Sequence, residues 1–583
     1  MTNHGGIIIL SFLLTIIIFA PLVAFPVVIK NEYQGININR FGTDTYFYLS
    51  RGKEVLDGHN LGNPLLREGK NEADAHSSYS EYLLLSPIKL LGLAQKLDIV
   101  IIYNSLNFIG IFFLLLLIYF FVLQLSGSKL LSIAAALFAV GGYSIIYNKT
   151  LFYDDFNVYA RQIYPYVSSL ILFAYLNLLV KSFKTEGLRY KIFAALTFGL
   201  LFYIYFFAWS FVLALNAVLL LIFVLKKDFL IAKKILLISL GGLLLGSYNL
   251  IQLFSFMLSE AGKQAAYFNW MSFSHGPIFS KIGFLVLIIF AGYYYRRRDD
   301  KNWPFLLALI LSGWVALNQQ IITGKMLQYG HYYWYFVVPL SIIGSFYMIW
   351  QLIERENLKK YLFIAVIVLV FINTAGGQYK SFFTTLEIKK HEQSYRPLID
   401  FLNRTKNSSV ILSGDESGEY LFTIYTPHDV FWQASASFGR LPIQRFKDVL
   451  FVYAYLNGEA RNDFRGYLEK ISRSGTEGSF YQDLYRNLEG YWSGYSYYDY
   501  NSRLKKNDLR LSQTRPAIID QLSQEYGEAV LKNNGFEKLI KQYGIGYIVW
   551  DKNLNPEWDL GGLPGLKLVA TSDDLSLYQI NQE

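Results

Sequence analysis

Long apolar runs, broken by short polar and basic stretches, fill the first two-thirds of the chain. The first run covers residues 7–29 and is closed by Lys30. Others follow at 99–124, 130–147, 165–180, 192–207, 209–225, 235–257, 278–295, 303–318, 332–353 and 361–375. Each is near the ~20 residues that cross a bilayer as a helix. The pair 192–207 and 209–225 leaves room only for a tight turn around Ala208 and Trp209. No Lys or Arg precedes the first run, and it is longer than a signal-peptide core, so it reads as a retained helix with a cytoplasmic N-terminus. Between the first two runs lies a long, mainly polar loop, 30–98. After residue 375 the pattern changes to short apolar runs alternating with helical ones. Residues 384–404 read as helix; 409–413 (Ser-Val-Ile-Leu-Ser) and 546–550 (Gly-Tyr-Ile-Val-Trp) read as strands. The predicted fold is a polytopic α-helical membrane protein with about eleven transmembrane helices, followed by an extracytoplasmic α/β domain. The expected division is 1–375 and 376–583.

Charge sets the orientation. The net charge is +9, and the basic residues gather in alternate loops: Lys181, Lys184, Arg189 and Lys191; Lys226, Lys227, Lys233 and Lys234; Arg296, Arg297, Arg298 and Lys301; Arg355, Lys359 and Lys360. The intervening short loops hold only Lys149, Arg161, Lys263 and Lys325. The positive-inside rule puts the first set in the cytoplasm and the second outside. The excess of positive charge is thereby accounted for by bilayer orientation, with no nucleic-acid partner. There is no cysteine, which excludes disulfides and thiolate-bound metals. Walker A, HExxH and GxSxG patterns are missing as well, which removes the usual signatures of ATP-driven transport, zinc proteolysis and serine hydrolysis.

The outward loops collect the residues with chemistry. In Phe41-Gly42-Thr43-Asp44-Thr45-Tyr46-Phe47-Tyr48-Leu49-Ser50-Arg51, continuing to Gly58, a helix of about fourteen residues is predicted, with Thr43 or Asp44 near its N-cap and Gly58 just past its end. Asp44 then sits at a helix N-terminus on the rim of the membrane. In Tyr153-Asp154-Asp155 to Arg161-Gln162-Ile163-Tyr164, two adjacent carboxylates offer oxygen ligands to a divalent cation such as Mg²⁺ or Mn²⁺. Arg161 offers a planar fork to phosphate, and Tyr164 completes the segment. The plainer reading of the carboxylates is a helix cap and a salt bridge to Arg161. In Asn318-Gln319-Gln320 to Lys325 and His331, Gln319, Lys325 and His331 are candidate contacts for a lipid phosphate or an acceptor. Snorkelling lysine and belt tyrosine explain the same residues structurally. His76 and Glu81 are further candidates on the first loop. The aromatic stretch 491–500 is either a carbohydrate-facing surface or a layer packed on the membrane domain.

This arrangement resembles the GT-C superfamily of membrane glycosyltransferases, which includes oligosaccharyltransferase catalytic subunits, protein O-mannosyltransferases and the aminoarabinose transferase of lipid A. The features that carry it are Asp44 with Tyr46, Tyr48, Arg51 and Gly58 in the first external loop, the acidic second external loop at Asp154-Asp155, the many spans and the external C-terminal domain. The resemblance implies a sugar donor on a polyprenyl phosphate and a glycan, lipid or protein acceptor outside the cytoplasm, in the cytoplasmic membrane of a prokaryote and acting on its envelope. It implies Asp44 as the catalytic carboxylate, Asp154 and Asp155 as metal- or acceptor-contacting, and Tyr46 and Arg51 as part of the substrate-binding surface. The second motif is Asp-Asp rather than Asp-x-Asp, and the C-terminal stretch shows no WWD-type signature, so transfer to protein asparagine is not part of the implication.

Two other function classes compete. A transporter or flippase of lipid-linked sugars calls for ionisable residues near the membrane midplane. Here the expected spans are nearly free of Asp, Glu, Lys and Arg, and the acidic residues gather at one face. A non-catalytic membrane scaffold with a partner-binding external domain is the other alternative.

Overall fold

The computed structural model describes the chain apart from residues 1–3, 40–43, 75–77, 95, 269–270, 406, 474–479, 507, 562, 564 and 582–583. The membrane part is built from helices α1 (Gly5–Ile29), α2 (Asp44–Asp57), α3 (Ser80–Leu90), α4 (Ile99–Ser126), α5 (Lys129–Gly141), α6 (Tyr143–Tyr147), α7 (Tyr166–Lys184), α8 (Leu188–Ile204), α9 (Phe206–Leu225), α10 (Phe229–Leu258), α11 (Glu260–Phe268), α12 (Lys281–Arg296), α13 (Trp303–Leu317), α14 (Gln320–Thr323), α15 (Gly330–Tyr332), α16 (Val338–Leu352) and α17 (Glu356–Gln393). Each of the eleven expected spans falls on a helix. Among the described residues, eight helical stretches are long and apolar enough to cross a membrane. Three further expected spans fall on the shorter α5, α8 and α12, of 13, 17 and 16 residues. The chain is an integral membrane protein.

Helix ends follow local chemistry. Asp98 caps α4 by accepting from the Val100 amide at 2.6 Å, Asp228 caps α10 at Ile231, and Ser280 caps α12 at Gly283, each satisfying an amide that the helix leaves unpaired. The α8–α9 corner lies at Tyr205, three residues before the predicted turn at Ala208. Tyr205 is extended because its ring is held from outside: it stacks on Tyr164 at 4.1 Å and its hydroxyl meets His331 Nδ1 at 2.8 Å.

Beyond α17 the chain forms an α/β domain. Strands β3 (Val410–Ser413), β4 (Asp429–Val430), β5 (Ile545–Asp551), β6 (Leu566–Ser572) and β7 (Leu575–Ile580) make a sheet in the order β4-β3-β5-β7-β6, parallel across β4-β3-β5 and antiparallel across β5-β7-β6. Strands β1 (Met271–Phe273) and β2 (Lys325–Leu327) pair separately and antiparallel, joining two outward loops of the membrane part. Both predicted strands are present. The stretch read as helix over 384–404 is the end of α17 followed by a short helix, Arg396–Leu402. The helix of the last expected span therefore continues without a break past residue 375 and up to the α/β domain.

Two large apolar cores result. One fills the helical bundle, around Leu115, Leu137, Phe211 and Phe336. The other belongs to the α/β domain, but it also takes in Ile36, Ile38, Tyr46, Leu49, Val55 and Leu65 of the long loop between α1 and α4. That loop is therefore part of the C-terminal core. The aromatic stretch at 491–500 behaves in part as a packing layer: Tyr491 stacks on Phe268 of α11 at 5.5 Å.

His428 in this domain makes its stability pH-dependent. The Ser409 amide donates to Nδ1 at 3.0 Å, while Nε2 lies 3.0 Å from Thr405 Oγ1 and 3.2 Å from the Leu402 carbonyl. Burial lowers its pKa, and a proton on Nδ1 would face the Ser409 amide donor. The unfolded chain binds that proton near pH 6.5, so the contribution is present above about pH 6.5 and is lost as pH falls below it. The expected result is an apparent unfolding midpoint that drops as pH falls below about 6.5, with a flatter profile in His428→Gln, measured by thermal unfolding of the detergent-solubilised protein.

Candidate active site

α2 has the predicted length, and Gly58 follows it with φ +96° and its amide turned back to the Glu54 and Val55 carbonyls. Its helical period sorts its side chains onto different neighbours. Tyr46, Ser50 and Lys53 face the α/β domain: the Tyr46 hydroxyl donates to Glu392, Ser50 Oγ meets Thr423 Oγ1 at 2.7 Å, and Lys53 donates to the Thr426 carbonyl. Asp44, Tyr48 and Arg51 face the membrane loops. Gly52 lets α2 lie directly on α4, since a Cβ there would stand 2.4 Å from the Tyr103 hydroxyl.

Asp44 opens the helix, where the N-terminal dipole favours a carboxylate, and its side chain forms an ion pair with Arg161 Nη2. The two partners are placed very differently: the Asp44 side chain is 43% exposed and that of Arg161 only 5%. Arg161 Nη1 donates to the Tyr335 hydroxyl, and its guanidinium carbon sits 5.6 Å from the centre of the Tyr48 ring. Tyr48 in turn packs on Tyr164 at 5.4 Å. Tyr164 stacks on Tyr205, and Tyr205 bonds to His331, whose ring lies 5.4 Å from Tyr335. Residues from four separate loops and helix ends thus close a ring around one exposed carboxylate. Burial raises the Tyr48 and Tyr164 phenols well above their usual range, which keeps them neutral donors.

The expected site residues divide accordingly. Asp44, Arg161, Tyr164 and His331 are brought together. Arg161 lies behind Asp44, buried, rather than open to a phosphate. Tyr46 is buried, stacked on Tyr420 at 5.6 Å, and serves the interface with the α/β domain. Arg51 and Glu81 are also buried: Arg51 Nε donates to Glu81 Oε1 at 2.5 Å and Nη2 to Asp74 Oδ2 at 3.2 Å. Burial works against the Arg51 charge, but the two carboxylates outweigh it and raise its pKa well above normal. Gln319 donates to the Lys325 carbonyl at 2.9 Å. Lys325 itself is exposed at the start of β2, and no described contact joins either residue to the Asp44 group. Glu260 pairs loosely with Lys263, and His275 bonds to the Ile321 carbonyl. His76 lies outside the described residues.

A divalent cation does not fit the donors as they stand. Asp154 Oδ2 lies 3.6 Å from Lys380 Nζ, Asp155 Oδ1 accepts from the Phe156 amide at 2.8 Å, and Asp44 is committed to Arg161. Among the described residues, no three His, Cys, Asp or Glu side chains converge as a metal site, whereas Mg²⁺ and Ca²⁺ want six or more oxygens.

The sequence reading did not single out Tyr205 or Tyr335 and gave Tyr48 no role in the site. Tyr48 is four residues after Asp44, and Tyr335 four after His331, the spacing that shares a helix face. Tyr205 carries no local signal; it arrives through the α8–α9 corner.

No protein-family model matches the chain, and no curated protein matches it in sequence. Among solved structures it is similar to the Archaeoglobus fulgidus oligosaccharyltransferase in the apo form, with 9% identity and a TM-score of 0.47 over 95% of this chain and 70% of that one. It is similar to the same protein tethered through a disulfide to an acceptor peptide containing the NVT sequon, at 11% identity and a TM-score of 0.46, over 95% of this chain and 69% of that one. A third similar structure is that protein's complex with Zn and sulfate, at 11% identity and a TM-score of 0.46, covering 96% and 70%.

Proposed function

We propose that the protein is a membrane glycosyltransferase that moves a sugar from a polyprenyl-phosphate donor to an acceptor hydroxyl on the extracytoplasmic face, with Asp44 as its catalytic carboxylate. The observation that carries this reading is the exposed Asp44 carboxylate backed by the buried Arg161. The guanidinium pairs with one carboxylate oxygen and fixes its position, and in this reading the other oxygen takes the acceptor's proton. In the proposed step the acceptor O–H passes its proton to Asp44. The acceptor oxygen bonds to the anomeric carbon, and the anomeric carbon–oxygen bond to the phosphate breaks with its electron pair leaving on the phosphate. The transition state has oxocarbenium character. Arg161 is a positioning residue here, and the neutral phenols of Tyr48 and Tyr164 limit water around it. No step is assigned to a cation.

The test is sugar transfer by purified protein from polyprenyl-phosphate sugars to a panel of glycan, lipid and peptide acceptors, with and without EDTA. The expected outcome is product formation that survives chelation. Product that disappears with EDTA and returns with Mg²⁺ or Mn²⁺ would restore Asp154 and Asp155 as metal ligands. An absence of product across the panel would count against the enzyme and favour the transporter or scaffold.

A further inference from the structure

A cavity of about 160 Å³ lies beside the ion pair, between α5–α6, the second external loop, the head of α16 and the middle of α17. Tyr335 belongs to both places: it lines the cavity, and its hydroxyl accepts from Arg161. The cavity is therefore linked to Asp44 through two side chains, Tyr335 and Arg161. Its size suits a single six-membered ring, since a cavity of roughly 150 Å³ takes up benzene. Its wall does not suit benzene alone. Tyr143 and Tyr147 stack at 5.5 Å, and Trp334 meets Tyr147 edge-on at 6.2 Å. These rings offer the electron-rich faces against which the C–H side of a sugar ring packs. Polar groups interrupt the aromatic wall. Asp155 lines it with one oxygen held by the Phe156 amide, and among the described residues its other oxygen accepts no hydrogen bond. Tyr153 adds a hydroxyl with no described partner. Aromatic faces with a few fixed polar groups form the general pattern of a small-ligand site.

From this we infer that the cavity is a binding subsite for one neutral pyranose ring, held by stacking on Tyr143, Tyr147 and Trp334 and by hydroxyl donation to Asp155. The inference rests on the glycosyltransferase reading and narrows it, because it makes a saccharide one of the groups bound next to the reacting carboxylate. The ring belongs either to the donor's sugar or to a glycan acceptor. Both share the same recognition chemistry.

The experiment is saturation-transfer-difference NMR on the full chain in lipid nanodiscs with methyl glycosides of glucose, mannose, galactose and N-acetylglucosamine. The expected result is saturation of the ring protons of at least one glycoside, weakened at least tenfold in Asp155→Asn, lost in Tyr147→Ala and kept in Asp44→Asn. Displacement by a polyprenyl-phosphate sugar identifies the donor's ring, and simultaneous binding identifies a glycan acceptor; both outcomes support the subsite. The inference is overturned if no glycoside shows saturation, if Asp155→Asn binds as wild type does, or if a polyprenyl phosphate without sugar displaces the glycoside as well as the sugar-bearing one does. Asp155 is exposed, so its variant tests the idea even where Tyr147→Ala does not fold. Binding without any transfer by wild type would sink the enzyme reading and leave the subsite standing; transfer without glycoside binding would do the reverse.

Discussion

Replacing Asp44 by Asn is expected to lower sugar transfer by roughly 10²–10⁴-fold, the usual contribution of a positioned general base, with expression retained and a smaller fall in unfolding midpoint than in Arg51→Met below. The carboxylate is 43% exposed, and an asparagine still accepts from Arg161 through its amide oxygen, which offsets part of the cost of leaving that buried guanidinium without its counter-charge. What is lost is the basic oxygen. The measurement is initial rate in purified protein alongside thermal unfolding of the same sample. Equal rates in wild type and Asp44→Asn would remove Asp44 from the chemistry. A parallel collapse of the midpoint would make it a structural residue.

The second large effect is on stability. Arg51→Met is expected to destabilise the loop between α1 and α4 by about 3–5 kcal/mol, the cost of removing one partner from a buried ion pair. Arg51 sits between Asp74 and Glu81, and all three side chains are nearly inaccessible. Methionine fills similar volume but leaves two carboxylates facing each other without a cation. The Asp74 carboxylate also accepts from the Ser78 amide, so its displacement would loosen the connection that carries Ser78 and Ser80 against Tyr164. The expected readout is a large drop in apparent unfolding midpoint and protease sensitivity within 58–79. The double variant Arg51→Met with Glu81→Gln should recover part of the loss. An unchanged midpoint in Arg51→Met would mean that the pair is solvated.

The α/β domain takes part in this site although, among the described residues, it contributes none of those that ring Asp44. Lys70 bridges Glu54 at 2.5 Å and Asp429 of β4 at 2.7 Å. Arg445 reaches Glu68 at 2.5 Å, and the Val430 amide donates to the Leu65 carbonyl. α2 is thus held between the helical bundle and the α/β domain, one helical face to each. The loop carrying Asp44 has its apolar side in the C-terminal core.

Local pattern alone was enough for the elements. The apolar runs located a helix for every expected span, a carboxylate followed at helical distance by Gly58 outlined α2, and two short β-branched runs marked β3 and β5. These depend on hydropathy, capping and backbone preference over a few neighbouring residues, which sequence displays directly. The partnerships were a different matter. That Arg161 stands behind Asp44 instead of facing a phosphate, that Tyr46 and Arg51 are buried supports, that Asp154 and Asp155 turn to Lys380 and the Phe156 amide, and that Tyr205 and Tyr335 join the ring are all consequences of how distant segments pack. Arg161 and Asp44 are separated in sequence by the rest of α2 and by the four helices α3 to α6, so no short-range preference links them. The pairing exists because α2 is pressed against α4 at Gly52 and against the α/β domain through Tyr46. Only the assembled chain fixes which charge is left facing outward.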